Sequence, residues 1–236
     1  MRAHRHLITL FALGLALTAA GCGLSPQLLS RGPVAQVRAK GDAQADAVVA
    51  QVRKTWTATN TLSGTVAFWE KQGNDVSQSK ADFFWSRPEK LRANVTEADS
   101  VTKRGAKLVY LGDKKITVKV AFIKKTLAYD DPQVLSLRGF RIDQTSITAV
   151  VGGLLDPQAT IHYAGTATFN GRAADLLEGT GSQYMLPGCS KMVVAVDKQT
   201  NMPCNVEAYA GSEVVFRAQI PTLTLNPQLP SNTFDL

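Results

Sequence analysis

Between Phe83 and Val95 the chain alternates, stops at a proline, and alternates again. Phe83, Trp85 and Arg87 fall on one face of an extended segment, and Leu91, Ala93 and Val95 continue an apolar face beyond Pro88. Pro88 fixes its own φ and keeps the residues before it extended, so the stretch predicts two strands joined by a tight turn. Counting by twos puts Arg87 on the inward face with the aromatic residues. An inward guanidinium must find acceptors, because an unpaired buried charge is costly.

The same period recurs along the chain. Residues 62–70 alternate, Gly73-Asn74-Asp75 signals a turn, and a strand runs on to Trp85. Residues 107–111 and 115–120 are separated by Gly112-Asp113-Lys114; in the second, Ile116, Val118 and Val120 oppose Lys115, Thr117 and Lys119. One apolar and one polar face is the pattern of an antiparallel sheet with one side in water. A short strand over 125–129 ends at Asp130-Asp131-Pro132. Strands over 159–169 and 172–178 flank Asn170-Gly171, a two-residue hairpin signal, and 191–196, 202–209 and 213–225 form two further hairpins. On these faces Phe83, Trp85, Leu91, Ile116, Val118, Val120, Val194, Val196 and Phe216 are the candidate cavity-lining residues.

Two stretches read as helices. Over 42–57, Ala45, Val48, Val49, Val52 and Trp56 share a helical face. Over 146–155, Ser146 is a candidate cap and Ile147, Val150, Val151, Leu154 and Leu155 share a face, with Gly152-Gly153 inside it. An apolar helix softened by two glycines suits a movable lid; a fixed plug inside the sheet fits the pattern equally well.

The chain opens with an address. Arg2 and Arg5 precede an apolar run over 7–20 that is short for a bilayer span and has the form of a secretory signal. It ends in Leu17-Thr18-Ala19-Ala20-Gly21-Cys22, which resembles the bacterial lipoprotein processing box. That resemblance implies an acylated Cys22 anchored in the membrane; the alternative is an ordinary signal with an incidental cysteine. Several acyl chains on one residue anchor stably where one is marginal. The expected organisation is therefore a signal peptide over 1–21, a lipidated tether over 22–41 with Pro26, Gly32, Pro33 and Gly41, and one domain over 42–236. Gly23 after the cysteine, by the sorting rule of diderm bacteria, permits the outer membrane, facing the periplasm.

Without its leader the chain keeps a net charge of +5, and the excess is local. Lys103, Arg104, Lys107, Lys114, Lys115, Lys119, Lys124 and Lys125 share one stretch with Asp113. For an exported protein, nucleic acid is a poor partner. An anionic membrane surface, an acidic partner protein or simply a solvated sheet face accounts for it.

Chemical signatures are few. His162 is the one histidine outside the leader, so no multi-histidine metal site is expected, and no Cys-His spacing fits zinc. There is no nucleophile elbow and no phosphate loop, and no cofactor is implied. Cys189 and Cys204 form a possible disulfide: export favours pairing, while the hairpin places Cys204 opposite Ala195, about 20 Å along the strand from Cys189.

The aromatic strand, Arg87-Pro88 and a second strand opening Leu91-Arg92, together with residues 192–236 carrying Asp197, Pro203, Asn226-Pro227 and Phe234, resemble the LolA- and LolB-like lipoprotein carrier and receptor family of bacterial envelopes. The resemblance implies a mainly β (α+β) fold: an open, strongly curved antiparallel half-barrel with an N-terminal helix and a short lid helix in or over its concave face. It implies a cavity for lipid or lipoprotein acyl chains, and no catalysis. It also implies that Arg87 holds the lid closed through backbone carbonyls of 147–155; a static carboxylate partner at the rim is the other reading. Two functions follow, an anchored lipoprotein taking part in lipid or lipoprotein transfer, or an envelope sensor or adaptor working through protein contacts.

Overall fold

The computed structural model describes residues 43–236. Helix α1 (Ala43–Ala58) leads into β1 (Thr61–Gln72), β2 (Asp75–Ser86), β3 (Lys90–Ala98), β4 (Lys107–Tyr110), β5 (Lys115–Val120) and β6 (Ile123–Ala128). Two short helices follow, α2 (Ile142–Thr145) and α3 (Ile147–Leu155). The chain then returns to strand in β7 (Thr160–Phe169), β8 (Arg172–Thr180), β9 (Lys191–Asp197), β10 (Pro203–Ala210) and β11 (Glu213–Leu225).

The strands form one eleven-stranded sheet in the order β6-β5-β4-β3-β2-β1-β11-β10-β9-β8-β7. Each described pairing is antiparallel. The sheet does not close: β6 and β7 are its edges. Two meanders therefore meet at one seam, β1 against β11. That seam bends where β11 has two residues, Ile220 and Pro221, against Val66 of β1. Pro221 has no N–H to give to a ladder, and an irregularity is where a strand accommodates it. The expected Asn170-Gly171 turn is present, with φ of 50° and 75°.

The inward residues of each strand and the apolar faces of α1 and α3 share one core, centred on Trp85, Leu62, Ile116, Leu177, Val52 and Val151. Among the described residues these side chains form one continuous core, as a single domain requires. The fold is thus the open, curved antiparallel half-barrel with helices against its concave face. A smaller cluster (Ala164, Ala167, Ala174, Leu176, Ala195 and Cys204) lies on the other face. Arg172 at the β7–β8 tip donates to the Ile220 and Pro221 carbonyls at 3.0 and 3.2 Å, crossing β9 and β10 to do so. Its other terminal nitrogen pairs with buried Asp197 at 3.0 Å.

Arg87 is a correction. Strand β2 ends at Ser86, so Arg87 sits in the turn and is exposed. Alternation no longer decides its side. Its Nε donates to Thr59 O at 2.7 Å and its Nη2 to Trp56 O. The guanidinium lies 5.2 Å from the Trp56 ring and 5.7 Å from that of Trp85. Arg87 therefore caps the C-terminal end of α1, where a cation meets the carbonyls at the negative end of the helix, and not the lid segment.

Candidate functional site

Strand β2 presents Ser77, Ser79, Ala81, Phe83 and Trp85 inward in that order, small at one end and large at the other. The sheet cannot be filled evenly by such a series. At the small end it leaves a cavity of about 240 Å³ between the concave face and residues 134–150. Val66, Phe68, Ala93, Leu108, Val206, Phe216, Ala218 and Ile220 give it apolar sheet walls; Val134, Phe140, Ile147 and Val150 close it from the helical side.

Among the expected lining residues, Phe83, Leu91, Val118 and Phe216 reach the cavity. Trp85 and Ile116 are wholly buried in the solid part of the core, and Val196 nearly so. Val194 lines a separate cleft of about 20 Å³ beside Tyr184. Val120 is half-buried at the core's margin. From the helix, Ile147 and Val150 line the cavity, Leu154 the small cleft; Val151 is sealed in the core and Leu155 packs at its edge.

Glu70 is a charged wall of the cavity that the sequence reading passed over. It is 6% exposed, accepting from Ser136 Oγ at 2.7 Å and from Leu137 N at 2.8 Å. Arg138 donates to Lys71 O at 2.8 Å. The crossing segment before α2 is thereby pinned to the end of β1. Burial pushes the Glu70 carboxyl above its ordinary 4.5, against the pull of these hydrogen bonds and of Arg138. A raised folded value means a contribution to stability complete below the unfolded value and lost as pH rises through the folded one. Wild-type melting temperature should therefore decline, relative to Glu70→Gln, as pH rises from about 4.5 through the raised folded value. Parallel melting curves across that range would show that Glu70 does not titrate under burial.

Helix α3 is fastened at both ends. Ser146 caps it, its Oγ accepting from Ala149 N at 3.2 Å. Trp85 Nε1 donates to Thr148 Oγ1 at 3.0 Å, so Trp85, and not Arg87, ties β2 to this helix. Glu89 receives the Ser146 hydroxyl at 3.4 Å, and burial raises its carboxyl above the usual range. At the far end Asp156 accepts from Gln183 N and Ser182 Oγ, both at 2.9 Å. Gly152 has a packing reason, since a Cβ there would lie 2.9 Å from Tyr184 Cζ, whereas one on Gly153 would make only ordinary contact, 3.6 Å from Tyr184 Cβ. Tyr184 lies beside α3 but is 40% exposed, and of residues 184–187 only Leu186 is buried.

Cys189 and Cys204 are free thiols, which corrects the possible disulfide. Cys189 packs against the main core, while Cys204 belongs to the cluster on the opposite face. Between Pro203↔Val196 and Asn205↔Ala195 the register shifts, and Cys204 is the residue turned outward there. Burial pushes its thiol up to about 12. Among the described residues no group of His, Cys, Asp and Glu could hold a metal, and no helix is long and apolar enough to cross a membrane. Cys22 lies outside the described residues.

No protein-family model matches the chain, and no curated protein does. Solved structures do. The fold is shared with an uncharacterized conserved protein from Thermus thermophilus, at 10% identity over 82% of this chain and 93% of that one, TM-score 0.51. Lipoprotein LppX of Mycobacterium tuberculosis is similar at 14% identity over 80% and 99%, TM-score 0.49. A LolA superfamily protein from Nitrosomonas europaea is similar at 12% identity over 81% and 97%, TM-score 0.40.

Proposed function

We propose that this domain is a non-enzymatic binding module that takes an apolar lipid chain, free or as the acyl chain of a lipoprotein, into the half-barrel. The observation carrying this reading is the cavity of about 240 Å³ with aliphatic and aromatic walls. That volume is just under the roughly 300–1,000 Å³ of drug-sized sites, so it suits one chain and not a whole multi-chain anchor. Each methylene moved from water into such walls gains about 0.8 kcal/mol, which suffices for binding without any polar recognition. Glu70 is held by Ser136 and Leu137, leaving no unanswered carboxylate for the chain to meet. A fluorescent fatty-acyl probe should bind residues 42–236 saturably and be displaced by unlabelled fatty acid; non-saturable or absent binding would end the reading.

The module is anchored to the cell envelope through acylated Cys22, with residues 23–41 as its tether. The short apolar run before Gly21-Cys22 supports this part. Metabolic labelling with a fatty acid should mark the wild type and miss Cys22→Ser. Equal labelling of both would remove the anchor. Transfer of cargo between membranes, at the outer membrane of a diderm cell, is the role such an anchored binding module would serve.

A further inference from the structure

Strands β4, β5 and β6 place Lys107 opposite Lys119, and Lys119 opposite Lys124. Ile116 and Val118 point into the core, so this row lies on the outer face. Directly opposed like charges destabilise a sheet, and cross-strand neighbours are only about 4.5–5.5 Å apart. Lys124 is engaged: its Nζ donates at 2.6 Å to the main-chain oxygen of Leu236, at the end of the segment that carries Asp235. Lys107 and Lys119 have no acidic partner among the described residues. Between Ser100 and Tyr129 the one acidic residue is Asp113, in the turn at the other end of β4 and β5.

Beside this row the β5–β6 turn carries Phe122, which is 92% exposed, followed by Ile123 at 39%. A phenyl ring held out in water among lysines has no role in folding. It matches a phase that is apolar inside and anionic at its surface.

We propose that this end of the β4–β6 sheet docks on an anionic phospholipid bilayer, with Phe122 in the acyl–headgroup boundary and Lys107, Lys119 and Lys124 against lipid phosphates. The surface is outside the cavity and stands whether or not the cavity holds lipid. It has a bearing on the cavity all the same. Asn94↔Lys107 and Ser79↔Ala98 put the start of β2, the end of β3 and the start of β4 at this same end. Ser77 and Lys103 line the cavity there. Docking brings that end of the cavity to the bilayer.

The test is co-sedimentation of residues 42–236 with vesicles of phosphatidylcholine, or of phosphatidylcholine and phosphatidylglycerol in equal parts. Binding should need the anionic lipid and weaken with salt. Phe122→Ser should weaken it roughly tenfold. Lys107→Glu with Lys119→Glu should weaken it by more than about tenfold, and Lys119→Gln alone by a few-fold. Lys114→Glu with Lys115→Glu changes the net charge equally at the opposite end of the hairpin and should leave most of the binding. Melting temperatures matching the wild type qualify each variant. Equal binding to neutral vesicles overturns the proposal. So does equal loss from the opposite-end pair, which means net charge alone. Unchanged binding of Phe122→Ser also overturns it, since a polyanion-binding patch would not need the ring.

Discussion

Gly64→Ala should cost roughly 3–5 kcal/mol of stability, the range reserved for mutations that leave no low-energy way out. Gly64 is an inward position of β1 at the seam with β11, paired with Leu223. A Cβ there would stand 2.1 Å from the Thr222 carbonyl oxygen and 3.1 Å from Phe83 Cε1. The ring can tilt, but the carbonyl belongs to the backbone of the neighbouring strand. That strand is fixed on either side, by Thr222 Oγ1 accepting from Thr65 N at 3.1 Å and by the irregularity at Ile220 and Pro221. Relief therefore requires parting β1 from β11, the one joint between the two halves of the sheet. Chemical denaturation would measure it, and a loss under about 1 kcal/mol would show that the seam can open locally.

Much of the fold could be read locally, because its signals are local. The alternation of Ile116, Val118 and Val120 against lysines specifies which face of β5 is buried, and Asn170-Gly171 specifies a turn wherever it occurs. Ser146 was recognisable as the cap of α3 for the same reason. Arg87 shows where the method stops: counting by twos holds only inside a strand, and the strand had ended one residue earlier. Its partners, Trp56 and Thr59, are about thirty residues away in sequence and no period reveals them.

The cavity was half legible. Large aromatic and aliphatic side chains on an inward face mark a core, and Trp85 and Ile116 are where that core is solid. Empty space is made by small residues, and the decline in size from Trp85 back to Ser77 along one face was the available signal. Glu70 was signalled too, by falling on the inward side of β1 with Leu62, Val66 and Phe68. What holds it, the hydroxyl of Ser136 and the amide of Leu137, arrives from a segment with no pattern of its own.

The cavity makes the other large prediction. Ala81 lies in its wall, 4% exposed, with Val66 beside it on β1 and Val95 on β3. Phenylalanine at that position projects into existing space, so it should fold as well as the wild type; filling a void is neutral or favourable where rotamers fit. Ala93→Leu occupies the same space from β3 with a smaller change. The decisive measurement is titration of a fluorescent fatty-acyl probe into residues 42–236 carrying each substitution, beside the wild type and with melting temperatures recorded. Affinity should fall at least about tenfold in Ala81→Phe and by less in Ala93→Leu, without loss of stability, because each methylene denied its wall gives up about 0.8 kcal/mol. A probe that binds the folded Ala81→Phe protein as tightly as the wild type would mean that the chain is held elsewhere, and the half-barrel is not the site.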